Sequence, residues 1–231
     1  MVPTRLLSPA WADSRLALCG FEDRFLPGPP ALACLRQVHT ADVHVVSTDG
    51  GGGWPLPPAE GDGLWTRSPG LPLAVRVADC VPILLWDPIG IVGAVHAGWR
   101  GTARDIVGAA LSLARRELGL RPERCWAAIG PCIGVAAFEV GDEVVAGLRG
   151  VGLADDELGL RLGPTGRPHV DLRAANRALL LRAGVRDAAI EDLGGCTVGP
   201  PLRHHSHRRD GAAAGRQRGI IALAGSAGGS R

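Results

Sequence analysis

The hydrophobic and polar positions along the chain predict short strands in its first half and two clear helices after them. Mostly apolar runs predict strands at residues 71–77, 83–86 and 90–96. The segment 87–90 (DPIG) between the last two runs has the composition of a tight turn. We therefore expect these two strands to return on each other as a hairpin.

Apolar positions at helical spacing predict a helix over residues 102–118, with Thr102 as its N-cap and Asp105 three residues later in a variant of the capping box. Asp171 is predicted to cap a second helix that runs to about residue 181, and Gly184 stands where its C-terminus would stop. Further short strands are predicted at 125–129, 190–193 and 219–223. This irregular alternation predicts an α+β domain with mixed β-sheets flanked by helices.

Length and composition predict one globular domain over residues 1–231. The chain has 231 residues, 46% of them hydrophobic, which is enough to build one substantial core. The glycine- and proline-rich segment 49–60 is predicted to be a loop, and the small, polar residues 224–231 are predicted to be a flexible tail.

Charge and cysteine usage exclude several classes of partner. The net charge of +2, without a long run of one sign, argues against a nucleic-acid surface. Apolar stretches fall short of the roughly 18 to 20 residues that span a bilayer, and the N-terminus lacks the features of a signal peptide. The six cysteines are scattered without a CxxC pair, which is typical of reduced thiols in a cytoplasmic protein.

Three metal-capable side chains lie beside apolar strand patterns: His39, Cys80 and His96. The predicted hairpin would bring Cys80 and His96 to one sheet edge, and His39 would join them from an earlier strand. Two imidazoles and one thiolate suit zinc, and three protein ligands leave a coordination position open for catalysis. Spacing alone leaves two alternatives: a Cys80–His96 nucleophile pair, or a buried cysteine and a hydrogen-bonded histidine with no catalytic role.

Two other segments carry candidate anion-binding groups. The segment 96–101 (HAGWRG) joins a predicted strand to the start of a predicted helix. Its backbone amides and Arg100 would bind an anion there, or the segment is a plain turn without a ligand. The run 204–211 (HHSHRRDG) has three interpretations. It is a metal-binding segment, a solvated loop, or a substrate-facing loop in which Arg209 holds phosphate and Asp210 orients the phosphate.

Taken together, a series of short motifs resembles the laccase-domain family, also called the YfiH or polyphenol oxidase family. The motifs are GFEDR at Gly20, RQVHTADV at Arg36, GDGLWT at Gly61, VADCVPILLWD at Val77, GAVHAGWRGT at Gly93, AAIGPCIG at Ala127, FEVGDEV at Phe138, CT at Cys196 and SHRRDGAAAGRQ at Ser206. They extend from about Gly20 to Leu223, and their order makes the set highly specific.

The resemblance implies a metal site built from the histidine of QVH, the cysteine of ADC and the histidine of HAGW. These are His39, Cys80 and His96, the same three residues that the spacing indicates. The implied fold is α+β, similar to the catalytic domain of cytotoxic necrotizing factor toxins. The family's laccase label implies copper, but Met1 is the one methionine of the chain, so a blue-copper axial ligand is effectively absent and zinc is favoured.

Members of this family are described as purine nucleoside phosphorylases with adenosine deaminase side activity. The resemblance therefore implies an enzyme that acts on adenosine, inosine and phosphate, with methylthioadenosine as a further substrate. We expect the chain to be a monomer. Phosphate is assigned to Arg100 or Arg209, and a metal-activated water would explain deamination at C6 of adenine.

Two departures from the family pattern concern the substrate. The stretch between Arg24 and His39 is shorter than in family members. The late motif, FFSYRRD in the family, reads HHSHRRD at residues 204–210, so substrate preference is expected to differ if this loop stacks on the purine.

Two rival functions also fit the residues. In the first, Cys80 is the nucleophile and His96 the base of an amidase that edits cell-wall precursors; its activity would survive chelators. In the second, the chain is a zinc-stabilised binding module that unfolds without metal and turns over no substrate.

Overall fold

The computed structural model describes residues 6–25, 32–48 and 59–225, so most of the predicted 49–60 loop and residues 226–231 of the predicted tail lie outside the described part. The strands are β1 Leu16–Phe21, β2 Val43–Val45, β3 Gly63–Thr66, β4 Leu73–Val77, β5 Val81–Asp87, β6 Ile91–Ala97, β7 Trp126–Ile129, β8 Arg161–Leu162, β9 Pro168–His169, β10 Ile190–Asp192 and β11 Gln217–Leu223. The α-helices are α1 Trp99–Thr102, α2 Ile106–Leu118, α3 Asp142–Gly150, α4 Leu172–Arg182 and α5 His207–Asp210. No helix in these ranges is long and apolar enough to cross a membrane.

The strands form two principal sheets. The larger has the order β10-β7-β5-β6-β3-β2, with β2–β3 and β10–β7 parallel and the other pairs antiparallel. The smaller is antiparallel with the order β1-β11-β4, and β8 and β9 form a separate hairpin. The predicted α+β class with mixed sheets is confirmed.

The six-stranded sheet is buried on both faces. Leu84 and Trp86 of β5 pack into one apolar cluster with the three-stranded sheet. Ile83 and Leu85 point the other way, into a second cluster that includes apolar residues of α2, α3 and α4. Every residue of β5 is therefore buried, which explains why its sequence is a continuous apolar run rather than an alternating one.

The predicted hairpin is confirmed. Strands β5 and β6 are antiparallel over their full lengths, and the amide of Gly90 donates to the carbonyl of Asp87 at 3.0 Å in the turn between them. Pro82 is the register partner of His96, so the hairpin places Cys80 near the end of β6. The predicted Asp171 cap is also confirmed: its carboxylate accepts from the amides of Arg173 and Ala174.

The predicted N-cap at Thr102 is wrong. Thr102 ends the short helix α1, and its hydroxyl donates to the carbonyl of Gly98 at 3.0 Å. The long helix α2 begins only at Ile106, and its N-cap is Asp105, which lies in the left-handed region at φ 52° and accepts from the Gly108 amide at 2.9 Å. Because Asp105 has a left-handed backbone conformation, the segment that the apolar periodicity predicts as one helix forms two separate helices.

Replacing Gly93 by alanine should destabilise the fold, because a Cβ at Gly93 would lie 2.6 Å from the ring of its cross-strand partner Trp65. We expect Gly93→Ala to lower the free energy of unfolding by about 1–3 kcal/mol, as overpacking of a buried core does. Urea denaturation followed by circular dichroism measures this. Gly150→Ala is the matched control, because its Cβ meets nothing within 4 Å. Equal stability of the two variants would contradict the close Gly93–Trp65 packing.

Candidate metal centre

The candidate centre lies at one end of the six-stranded sheet. Cys80 directly precedes β5, and His96 is the second-last residue of β6. Asp62 directly precedes β3, and its carbonyl accepts from the His96 amide at 2.7 Å. The pairing of three adjacent strands therefore brings these side chains to the same edge.

His39, Cys80 and His96 come together as the sequence predicts. Their ligand-capable atoms all lie within 4.8 Å of one another. The Sγ atom of Cys80 is 4.0 Å from Nε2 of His39, and the two imidazole rings meet edge to face with centroids 4.9 Å apart. His39 does not come from a strand, as the sequence suggested, but from the turn that precedes β2, where its φ is 61°.

The carboxylate of Asp62 holds two of the three side chains in place. One oxygen lies 2.7 Å from Nδ1 of His96, which leaves Nε2 of that ring for the centre. The other oxygen accepts from the amides of Val38 and Thr40, at 3.2 and 2.8 Å, and from the Thr40 hydroxyl at 3.1 Å. Because Val38 and Thr40 flank His39, the same carboxylate fixes the turn that carries it.

One further hydrogen bond fixes the turn around His39, and Gly98 lies close to the centre. The Arg104 guanidinium donates to the carbonyl of His39 at 2.9 Å. A Cβ at Gly98 would stand 3.0 Å from both the Cys80 sulfur and Cδ2 of His39. The centre therefore packs directly against a backbone position without a side chain.

Asp79 anchors the segment that carries Cys80. It has a φ of 87°, and its carboxylate accepts from the hydroxyl of Thr197 and the amide of Arg208. These bonds tie the loop before β5 to the late segment that leads into α5. Cys80 is thus positioned from both sides, by β5 and by this carboxylate.

The charges of the centre stabilise one another. Burial raises the pKa of the Asp62 carboxyl, but the hydrogen bond from His96 and the Thr40 amide outweigh it and lower that pKa to about 2. Burial also opposes charge at Cys80 and His96, yet their mutual attraction lowers the pKa of the Cys80 thiol and raises the pKa of His96. The thiol is therefore favoured in the thiolate form that binds metals.

The donor set fits a transition metal. Two imidazole nitrogens and one thiolate are ligands that zinc prefers, and copper accepts them too. The hydrogen bond from His96 to Asp62 has the form found behind metal-bound histidines, where a carboxylate sets the tautomer and ring orientation. Three protein ligands would leave one coordination position of a zinc ion open, as in catalytic sites.

The candidate centre opens into a cavity of about 630 Å³. Its lining residues are Gln37, His39, Arg76, Ala78, Cys80, His96, His207, Ala214 and Arg216. This volume is within the range of roughly 300–1,000 Å³ that is usual for small-molecule sites. Arg76 and Arg216 add two positive charges to its wall.

The phosphate-binding residues predicted from the sequence lie elsewhere: Arg100, Arg209 and Asp210 are not among the described residues that line this cavity. Arg100 is exposed, with its guanidinium 4.4 Å from the ring centroid of Trp99. Arg209 pairs with Asp210 at 2.7 Å and donates to the carbonyls of Thr197, Val198 and His204. Its guanidinium braces the loop instead of facing the cavity.

Sequence reasoning missed three residues: Asp62, Arg76 and Arg216. His207 belongs to the candidate run 204–211, although the sequence does not single it out there. Arg76 had a readable signal, because it is the exposed residue in the otherwise buried strand β4. Asp62 also had one, as an acidic residue directly before a buried strand. No local pattern distinguishes Arg216 from Arg209, or His207 from its neighbouring histidines.

Relatives of known name match most of the chain. A purine nucleoside phosphorylase of Deinococcus radiodurans is 43% identical over 192 residues, which cover 83% of this chain and 70% of that protein. A protein named adenosine deaminase RL5, from an unknown prokaryotic organism, is 43% identical over 156 residues, covering 67% of this chain and 59% of that protein.

Solved structures agree with the fold. The crystal structure of YlmD from Geobacillus stearothermophilus matches with a TM-score of 0.76 and 37% identity, covering 84% of this chain and 74% of that chain. The Bacillus licheniformis hypothetical protein YfiH matches with a TM-score of 0.77 and 34% identity, covering 83% of this chain and 74% of that one. The family model described as multi-copper polyphenol oxidoreductase laccase matches residues 22–224. The chain therefore belongs to this laccase-domain family, which includes YfiH and YlmD.

Proposed function

We propose that this chain is a metal-dependent purine nucleoside phosphorylase that acts on adenosine and inosine. The observation that carries the proposal is the His39–Cys80–His96 cluster, which opens into a cavity with two arginines on its wall. Relatives named purine nucleoside phosphorylase support the reaction class. The monomeric state, cytoplasmic location and single domain over residues 1–231 stay predictions from the sequence.

Phosphorolysis exchanges one bond at the sugar for another. A phosphate oxygen bonds to C1′ of the ribose while the bond from C1′ to N9 of the purine breaks. The electron pair of the broken bond leaves with the purine, which takes the proton of the hydrogen phosphate. The enzyme has to hold the phosphate on one side of the sugar and stabilise charge on the departing base.

Arg76 and Arg216 are suited to hold the phosphate. Gln37 clamps the backbone of Arg76 twice: its amide nitrogen donates to the Arg76 carbonyl and its oxygen accepts from the Arg76 amide, both at 2.7 Å. Arg216 directly precedes β11, whose Gln217 is the register partner of Val77, so it lies beside the segment that leads to Cys80. Arginine pairs with phosphate through parallel hydrogen bonds.

His39, Cys80 and His96 would hold the metal, with zinc as the preferred ion and copper as the alternative. A metal ion bound there supplies Lewis-acid polarisation of a substrate oxygen or nitrogen at its open position. Asp62 keeps His96 oriented for this role, and Arg104 keeps the turn of His39 in place.

Three other activities are candidates at the same site. Adenosine deamination is supported by the relative named adenosine deaminase RL5, and methylthioadenosine would be a further phosphorolysis substrate. The thiol amidase alternative is supported by the carboxylate, imidazole and thiol of Asp62, His96 and Cys80, which also suit a nucleophilic cysteine.

Chromatography of adenosine incubated with the zinc-loaded protein tests the proposal. We expect adenine to appear only when phosphate is present, and Cys80→Ala to abolish its formation because one of three metal ligands is lost. Inosine formed without phosphate would indicate deamination as the main activity. Product formation that Cys80→Ala retains would contradict the proposed metal site, whereas chelator-resistant activity with covalent labelling of Cys80 would favour the thiol amidase.

Substitution of Asp62 by asparagine should weaken metal binding. The variant loses the anionic acceptor for Nδ1 of His96, and such partners typically change metal affinity by about 10–100-fold. Competition with a chromogenic zinc chelator measures the affinity. Asp13→Asn is the control, because the Asp13 carboxylate pairs with Arg15 at the surface. Equal zinc affinity in the two variants would rule out a supporting role for Asp62.

Mutation distinguishes the assignment of phosphate to Arg216 from its assignment to Arg100. Arg216→Gln should raise the KM for phosphate by about tenfold or more, since a charge-assisted hydrogen bond contributes about 1.5–3 kcal/mol. Arg100→Gln should leave that KM unchanged, because Arg100 does not line the cavity. Initial rates at varied phosphate and saturating inosine measure both. The reverse ranking would restore the assignment of phosphate to Arg100.

A further inference from the structure

A second, smaller cavity also borders Cys80. Its volume is about 150 Å³, and it is lined by Ala78, Asp79, Cys80, Trp99, Ile133, Phe138, Leu172, His207 and Arg208. Three of these residues, Ala78, Cys80 and His207, also line the larger cavity. The two cavities therefore meet at the candidate metal centre.

The charged residues of the smaller cavity are already bonded within the protein. The carboxylate oxygens of Asp79 accept from Thr197 and from the Arg208 amide. The guanidinium of Arg208 donates to the carbonyls of Ala137 and Glu139, at 2.9 and 3.0 Å. The wall therefore presents mainly aromatic and aliphatic surface to a ligand.

The aromatic surface comes from Trp99 and Phe138. Both side chains are partly buried, and both also pack against the larger apolar core on the helical side of the sheet. The guanidinium of Arg208 lies 5.5 Å from the Phe138 ring centroid and covers that ring. A flat ring entering this cavity would therefore meet aromatic edges or faces that the fold holds in position.

The two cavities divide the parts of a nucleoside by polarity. Phosphate and the ribose hydroxyls need polar partners, because burying a charge or hydroxyl without them is costly. The larger cavity supplies such partners at Arg76 and Arg216, whereas the smaller one suits a purine ring. We infer that the Trp99–Phe138 cavity is the nucleobase subsite, an inference that rests on the proposed function. The bond from C1′ to N9 then lies at the junction, beside Cys80 and His207.

Among the described residues that line the smaller cavity, no charged group is free to recognise the substituent at C6 of a purine. Asp79 and Arg208, the charged groups on the wall, are committed to the protein, so they do not read the substituent at C6 of the purine. An apolar pocket discriminates weakly between substituents of similar size. We therefore expect the Trp99–Phe138 cavity to discriminate between 6-amino and 6-oxo purines by no more than about 100-fold.

The synthetic direction tests the subsite, because base and sugar phosphate are then separate substrates. Phe138→Ala should raise the KM for hypoxanthine by about tenfold, as loss of an aromatic base contact does. The KM for ribose 1-phosphate should stay within about twofold, because that substrate occupies the arginine cavity. Phe138→Leu keeps the apolar volume and guards against misfolding. Phe25→Ala is the matched control, since Phe25 is 65% exposed and lines neither cavity. Equal changes in both KM values, or none, would overturn the assignment.

Calorimetric titration of the zinc-loaded protein with hypoxanthine separates this inference from the proposed function. If hypoxanthine binds more weakly to Phe138→Ala but equally well to Arg216→Gln, while the unmodified protein catalyses no phosphorolysis, the nucleobase subsite is supported and the phosphorylase activity is rejected. If the protein catalyses phosphorolysis but Phe138→Ala binds hypoxanthine as well as the unmodified protein does, the phosphorylase activity is supported and the nucleobase subsite is rejected. The absence of hypoxanthine binding to the unmodified chain would overturn the subsite.

Discussion

The carboxylate of Asp62 is the constraint on which the candidate centre depends. Its side chain is fully buried, and a buried carboxylate is tolerated only when hydrogen bonds and positive charge compensate for lost hydration. Here the compensation comes from His96 and from the residues on either side of His39. Two of the three metal-capable side chains are therefore coupled to one group. Because Asp62 directly precedes β3, they are also coupled to the pairing of β3 with β6.

A second carboxylate plays a corresponding part for the third side chain. Among the described residues that are not glycine, four have a positive φ, and two of them are His39 and Asp79. Such a backbone conformation costs free energy for a residue with a Cβ and persists where surrounding contacts determine it. Asp62 bonds the neighbours of His39, and Asp79 bonds the segment before α5 through its own carboxylate. The turns that carry His39 and Cys80 are thus held by hydrogen bonds rather than by regular secondary structure.

The predictable part of the centre is the part that regular secondary structure builds. The turn between β5 and β6 is readable from its residues, and a hairpin register then brings Cys80 near His96. The position of His39 depends on bonds to Asp62, which is 23 residues away in the sequence, and no local pattern encodes them. The motif resemblance identifies all three residues together, because family membership carries long-range information that spacing does not.

Arg209 and Arg216 also show that local sequence does not predict which residues line the cavity. Arg209 and Arg216 lie in one short segment and have the same chemistry, but only one of them faces the cavity. Arg209 follows the Ser206 N-cap of α5, where nearby carbonyls and Asp210 capture its guanidinium. Arg216 stands at the start of β11, and the pairing of that strand with β4 carries it to the cavity wall beside Arg76. The sequence shows that both residues are charged, while strand pairing decides which of them lines the cavity.

The cysteines differ in how readily their thiols ionise. Burial raises the pKa of the Cys19 and Cys132 thiols to about 12, which keeps them neutral at physiological pH. Cys80 is only partly buried, and the positive charge of His96 and the hydrogen bonds of both imidazoles outweigh the effect of burial and lower its pKa. A metal ion requires the thiolate, so the neighbouring histidines do more than complete a ligand set. They also favour the thiolate of Cys80, which is the protonation state that metal binding needs.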